Sequence, residues 1–277
     1  MVMNESINID GKVDDSLRST CALVDKLVPL RKLQQGDVAT VDMSKLRRLG
    51  VDGVTMIAGS ILEARKRGLA VSVALPTEPP GLPPFFQDSG FNHLILNGAP
   101  PRAGDPKNLV MSLRRFDRSR YENIEPIVQR IAREKPVSGE LRQYLQICID
   151  ECLQNTLGCA RFMLSADEIH VSLMDWGEGI FNTLRRRYPD TRDEVMALER
   201  VLYGGFSART QSNNLGRGID NLRSVVTESF SGSLYIITGR GTVEIGDRRK
   251  PRYASDLMQE GFQGTVVCFA LPLDPMS

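Results

Sequence analysis

Glu151 and Asn155 stand four residues apart, a spacing that puts a carboxylate and a carboxamide on one face of a helix, about one turn from each other. A carboxamide oxygen there can ligate Mg²⁺, which takes few protein ligands and relies on phosphate oxygens for the rest. The neighbouring carboxylate is suited to orient or deprotonate an attacking hydroxyl or water. Further along, Asp175-Trp176-Gly177-Glu178-Gly179 offers an acceptor for an exocyclic amine, with two glycines that let backbone approach a ring and take positive φ. Gly216-Arg217-Gly218 opens a helical pattern, where free N–H groups favour phosphate. Gly264-Thr265 places a small residue and a hydroxyl where they can line a purine pocket. Each stretch alone also has a plain reading: a solvated helix face, a turn after a strand, a helix start, and punctuation at a strand.

These residues need elements to bring them together. Ser138–Gly158 reads as a helix opened by Ser138, and Cys148, Cys152 and Cys159 share its core stripe with Leu145, Ile149 and Thr156, leaving Glu151 and Asn155 at the edge. Glu168–Asp175 alternates as a strand that ends on Asp175. Asn108–Phe116 and Ser233–Thr238 read as strands, Gly264–Leu273 as the last strand, and Asn123–Lys135, Asp190–Tyr203 and Gly218–Phe230 as helices. Gly204–Asn214, rich in Gly, Ser, Thr, Gln and Asn, reads as a mobile loop. In the first half, Val38–Met43 and Leu69–Leu75 read as strands about a helix over Val54–Arg67, a strand-helix-strand order typical of α/β folds. The breaker cluster Asn97–Pro106 marks a domain boundary, giving segments 1–104 and 105–277.

Taken in order, Glu151/Asn155, Asp175-x-Gly177-x-Gly179, Gly216-x-Gly218 and Gly264-Thr265 resemble the N, G1, G2 and G3 boxes of the GHKL superfamily, which includes sensor histidine kinases, gyrase-type topoisomerase subunits and anti-sigma-factor serine kinases. The resemblance covers about residues 107–277 and implies a Bergerat fold, an α/β sandwich holding ATP under a lid that includes the loop 204–214. It further implies that Asn155 binds Mg²⁺ and that Asp175 takes the adenine amine. Gly177 and Gly179 would flank the adenine, Gly216 and Gly218 would contact the triphosphate, and Thr265 would reach the adenine through a hydroxyl or a water. Glu151 would be the catalytic base.

Val41-Asp42-Met43-Ser44, the segment from Leu46 to Leu75, and Asp88-Ser89-Gly90-Phe91 resemble a STAS domain, the fold of anti-sigma-factor antagonists. Phosphorylatable members carry a serine in the turn before the helix. Here that stretch reads Gly50-Val51-Asp52-Gly53, a turn without a serine, in which Asp52 either imitates a phosphoserine or belongs to an ordinary Asp-Gly turn. The expected fold class is therefore α/β, a STAS-like domain followed by a Bergerat sandwich.

Composition narrows the functional classes. Thirty-five Lys and Arg stand against 34 Asp and Glu, so no global basic field holds nucleic acid. No apolar run reaches the about 18–20 residues of a membrane span, and Met1–Lys12 carries no hydrophobic signal core. Five cysteines, an odd and scattered set, fit a reducing compartment. The expectation is a cytoplasmic, ATP-binding regulatory protein that uses Mg²⁺ and a regulatory protein partner, with a homodimer as related modules commonly form. The alternative is an interaction scaffold with a vestigial nucleotide site. His93 and His170 stand alone, Arg185-Arg186-Arg187 and Arg248-Arg249-Lys250 read as solvated faces, and Gly239-Arg240-Gly241 reads as a hairpin turn.

Overall fold

The computed structural model describes residues 2–98, 109–115, 138–139, 143, 159–164, 168–203, 206, 218–246 and 249–272. It is a mixed α/β structure with both parallel and antiparallel sheets. The first half alternates strands and helices: β1 (Asn4–Asn8), β2 (Gly11–Val13), α1 (Leu17–Lys32), β3 (Val38–Asp42), β4 (Leu46–Leu49), α2 (Val51–Lys66), β5 (Ala70–Ala74), α3 (Leu82–Asp88) and α4 (Phe91–Leu96). β1, β3 and β5 form a parallel sheet in that spatial order, and β2 pairs with β4, also in parallel. Parallel neighbours require crossovers, and here α1 connects the β1–β2 region to β3 while α2 leads to β5.

The second half is dominated by one antiparallel sheet of seven strands. β6 (Leu109–Arg115), β7 (Cys159–Leu164), β8 (Glu168–Asp175), β9 (Ser233–Gly239), β10 (Gly241–Ile245), β11 (Arg252–Ala254) and β12 (Phe262–Pro272) lie in the order β11-β10-β9-β12-β8-β7-β6. Between β8 and β9 run α5 (Gly179–Arg187), α6 (Glu194–Tyr203), α7 (Gly218–Ser224) and a π-helical turn, Val225–Ser229.

Strand alternation gives this sheet two apolar faces. Val171 and Leu173 of β8, Leu234 and Ile236 of β9, and Phe269 and Leu271 of β12 meet Leu184, Leu198, Leu202 and Leu222 of the helices α5–α7. Met174, Tyr235, Ile237, Val266 and Cys268 point the other way, into a core shared with α1 and α2 and, behind those helices, with Ile7, Val41 and Val71 of the small sheet. The layers therefore run small sheet, α1 with α2, large sheet, α5–α7, and one core contains residues from both sides of the expected boundary at 104, which itself lies outside the described residues.

The helix ends are satisfied over long distances. Ser16 caps α1, accepting from Ser19 N–H at 3.2 Å, and α1 ends on the Arg67 guanidinium, which donates to the carbonyls of Leu30, Arg31 and Leu33 at 2.6, 3.1 and 3.1 Å. The expected turn at Gly50–Gly53 is instead the start of α2: Gly50 is the cap residue and Val51, Asp52 and Gly53 are helical and buried. Asp15, brought alongside by the chain entering α1, supplies the capping carboxylate, accepting from Asp52 N–H at 2.8 Å. The helix expected over Asp190–Tyr203 begins at Glu194, where the Asp193 carboxylate accepts from Met196 N–H at 2.8 Å and caps the first turn. The helix expected over Gly218–Phe230 passes into the π turn after Ser224. Most of Asn123–Lys135, Ser138–Gly158 and Gly204–Asn214 lies outside the described residues.

Candidate functional site

Asp175 is the last residue of β8 and faces the α5–α7 layer, in phase with Val171 and Leu173. Thr265 of β12 lies directly opposite it in antiparallel register, and Thr238 of β9 lies opposite Thr265 on the other side. Residues in register share a face, so Asp175, Thr265 and Thr238 form a polar row across three adjacent strand ends. The Asp175 carboxylate accepts from Gly177 N–H at 2.6 Å and from the Thr265 hydroxyl and backbone N–H. Burial nonetheless dominates and pushes its pKa up to about 6. At neutral pH the group is mostly ionised, an acceptor in a half-dry setting, suited to an amine N–H donor.

Backbone closeness builds the rest. Thr238 Oγ1 donates to the Gly264 carbonyl at 3.2 Å and accepts from Ile180 N–H at 2.8 Å, tying β9, β12 and the first turn of α5 together. Gly264, at φ +113°, leaves no room for a side chain: a Cβ there would lie 2.8 Å from the Asp175 carbonyl carbon. Gly179, at φ +78°, opens α5, and its Cβ would fall 2.8 Å from Thr238 Oγ1. Both glycines are thus required where they stand. Gly177 is exposed.

The structure brings Asp175, Gly177, Gly179 and Thr265 of the expected set to one place. Gly218 is the first residue of α7. Glu151, Asn155 and Gly216 lie outside the described residues. Thr238 was not among the expected residues; its place opposite Thr265 comes from the β9–β12 register, for which the sequence carries no local signal. The row presents a carboxylate, two hydroxyls and glycine backbone together at one strand end. Among the described residues no cluster of three His, Cys, Asp or Glu residues is arranged to hold a metal ion.

Two cavities lie nearby, and Asp175 and Thr265 line neither. An open cleft of about 730 Å³ runs beside α5, lined by Arg31, Glu178, Asn182, Arg185, Glu194 and Arg240, among others. A smaller space of about 90 Å³ lies on the far face of the sheet, bordered by Leu27, Arg31, Met56, Trp176 and Phe262. In the cleft, Arg186 pairs with Glu178 and Arg185 stands over the Phe181 ring at 5.7 Å.

Both histidines have structural partners. His93 Nδ1 lies 3.0 Å from the Gly98 carbonyl and His170 Nε2 lies 2.5 Å from Glu168. Cys21 and Cys268 are buried free thiols whose pKa values burial pushes up, that of Cys21 to about 12, which removes thiolate reactivity. Among the described residues no helix is long and apolar enough to cross a membrane. Comparison with protein-family models, curated proteins and solved structures finds no match to this chain.

Proposed function

We propose that the chain is an ATP-binding regulatory protein in which a Bergerat-type nucleotide module, residues 105–277, is joined to a STAS-like module, residues 1–104, that engages a protein partner. The observation that carries the reading is the row Asp175, Thr265 and Thr238, closed by Gly179 and Gly264 at one strand end. Four residues that the GHKL boxes assign to the adenine side, Asp175, Gly177, Gly179 and Thr265, come from two motifs about 90 residues apart and meet there. The helical layer α5–α7 on that face, with a second layer covering the opposite face, agrees with an α/β sandwich.

In this reading Asp175 accepts from the adenine amine and Thr265 supports the ring. Gly216 and Gly218 approach the triphosphate, and Asn155 holds Mg²⁺. Bound MgATP would supply a γ-phosphoryl group for transfer. Glu151 would take the proton from an attacking water in an ATPase, or from a partner's serine in a protein kinase. A cytoplasmic protein that binds neither nucleic acid nor membrane, and that pairs as a homodimer, completes the proposal.

Thermal unfolding with MgATP tests it. At 100 times the dissociation constant, binding to the folded chain stabilises it by about 2.7 kcal/mol, or roughly 5–10 °C at this size. Asp175→Asn should reduce that shift, Asn155→Ala should remove its Mg²⁺-dependent part, and Glu151→Ala should leave it intact while abolishing turnover. No shift at millimolar MgATP contradicts the proposal and leaves the scaffold alternative.

A further inference from the structure

Trp176, the chain's single tryptophan, follows Asp175 directly. Alternation along β8 sends the two side chains to opposite faces of the large sheet, Asp175 toward α5–α7 and Trp176, with Met174, into the core of α1 and α2. There the indole rests on α2 at Gly59. A Cβ on Gly59 would lie 2.5 Å from Trp176 Cζ2 and closer still to Met174 Sδ, so only glycine leaves room for the ring. The other edge of this seat is the small space bordered by Leu27, Met56 and Phe262.

The backbone beneath the ring is held just as closely. A Cβ on Gly264 would come within 3.0 Å of Trp176 Cα and 2.8 Å of the Asp175 carbonyl carbon. The approach to β12 is in turn tied to α1: Asp25 accepts from the N–H groups of Gln259 and Glu260 at 3.0 and 3.1 Å, and Arg31 Nη1 donates to the Gly261 carbonyl at 2.5 Å. The peptide that aims Asp175 is therefore fixed between β12, anchored by α1, and an indole, anchored by α2.

We propose that Trp176 and Gly59 are positioning residues for the adenine site, and that through them the α1–α2 layer regulates nucleotide recognition. This rests on the nucleotide reading above. A displacement of α2 moves the indole, the indole moves the 175–176 backbone, and the Asp175 carboxylate loses its alignment with the adenine amine. Coupling of this kind is reciprocal. A partner that shifts α2 weakens ATP binding, and bound ATP holds α2 in place.

The test uses the full chain and compares MgATP with MgITP, whose base lacks the exocyclic amine that Asp175 would accept from. Calorimetric titration gives both affinities for the wild type, Gly59→Ala, Trp176→Phe and the double variant, and denaturant unfolding without nucleotide records stability. Gly59→Ala is expected to lower ATP affinity about fivefold or more with little effect on ITP. Trp176→Phe, which vacates the seat, should also erode the ATP-over-ITP preference. The smaller ring removes one of the two groups the added methyl meets, the flexible Met174 thioether being the other, so the double variant should recover part of the preference lost in Gly59→Ala. Should Gly59→Ala fail to fold, Trp176→Phe alone decides. A wild-type preference in the folded variants, or equal losses for ATP and ITP, overturns the coupling while leaving nucleotide binding standing. Failure of the wild type to bind MgATP removes the nucleotide reading and the coupling with it.

Discussion

Tyr235 of β9 donates its phenolic proton to Asp52 of α2, joining residues 183 apart across the interface between the large sheet and the helices that cover it. The Thr20 hydroxyl of α1 completes the link, 2.9 Å from Tyr235 Oη. All three residues are buried. Asp52, read in the sequence either as a phosphoserine mimic or as part of an Asp-Gly turn, is thus a carboxyl held inside the protein, at the first turn of a helix, by a phenol from the opposite layer.

Removing that phenol should leave two buried polar groups without their partner. Tyr235→Phe is expected to destabilise the chain by about 1–3 kcal/mol, the cost of stranding a buried acceptor and a buried hydroxyl. Urea unfolding at pH 7 measures it, and a change under about 0.5 kcal/mol, the range of an ordinary surface substitution, would mean the link contributes nothing.

Asp52 also sets a pH dependence. Burial first, and the Asp15 carboxylate second, push its pKa up to about 6 against the Tyr235 and Cys268 hydrogen bonds and the nearby His170, which act in the opposite direction. A folded pKa above the unfolded value means the folded state holds the proton more tightly. Stability from this group is therefore full below pH about 4 and is lost as pH rises to about 6. Asp175, raised to about 6 mainly by burial, acts in the same direction, whereas Asp37 and Asp42, lowered mainly by hydrogen bonds, act oppositely at lower pH. Asp52→Asn isolates the Asp52 contribution. The variant should gain about 1–3 kcal/mol on the wild type at pH 7, and the difference should shrink toward pH 4. A constant difference across that range would contradict the assignment.

Gly264 gives a sharper structural prediction. Its φ of +113° and the Asp175 backbone against its α-carbon make Gly264→Ala costly by at least about 2 kcal/mol. Gly246 has only ordinary contact distance to Arg249, so Gly246→Ala should stay within about 0.5 kcal/mol. Denaturant midpoints of the two variants make the comparison, and equal costs would show that the close approach of β12 to Asp175 is not a tight constraint.

The parts legible in the sequence were those with local signals. β8, β9 and β12 alternate or run apolar between clear breakers, and Asp175, the glycines after it, and Thr265 announce themselves by type and spacing. α1 does carry a helical spacing, Leu17, Thr20, Cys21, Val24, Leu27 and Val28 sharing one buried face behind the Ser16 cap, but Pro29 inside it reads as a breaker. The start of α2 was hidden for a related reason. Gly50 to Gly53 have turn chemistry, and the groups that make them helical, Asp15 and Tyr235, lie far off in the chain. Thr238 and Trp176 acquire their places only through register and layer packing, which no window of sequence contains.

In the proposed function Asp175 and Thr265 receive the base of a nucleotide. A crystal of the full chain soaked with a non-hydrolysable ATP analogue and Mg²⁺ tests it most directly. The adenine amine should lie about 3 Å from the Asp175 carboxylate, with the Thr265 hydroxyl within direct or one-water reach of the ring and the phosphates running toward Asn155. A nucleotide bound elsewhere, with Asp175 still turned to Gly177 and Thr265 alone, would contradict it.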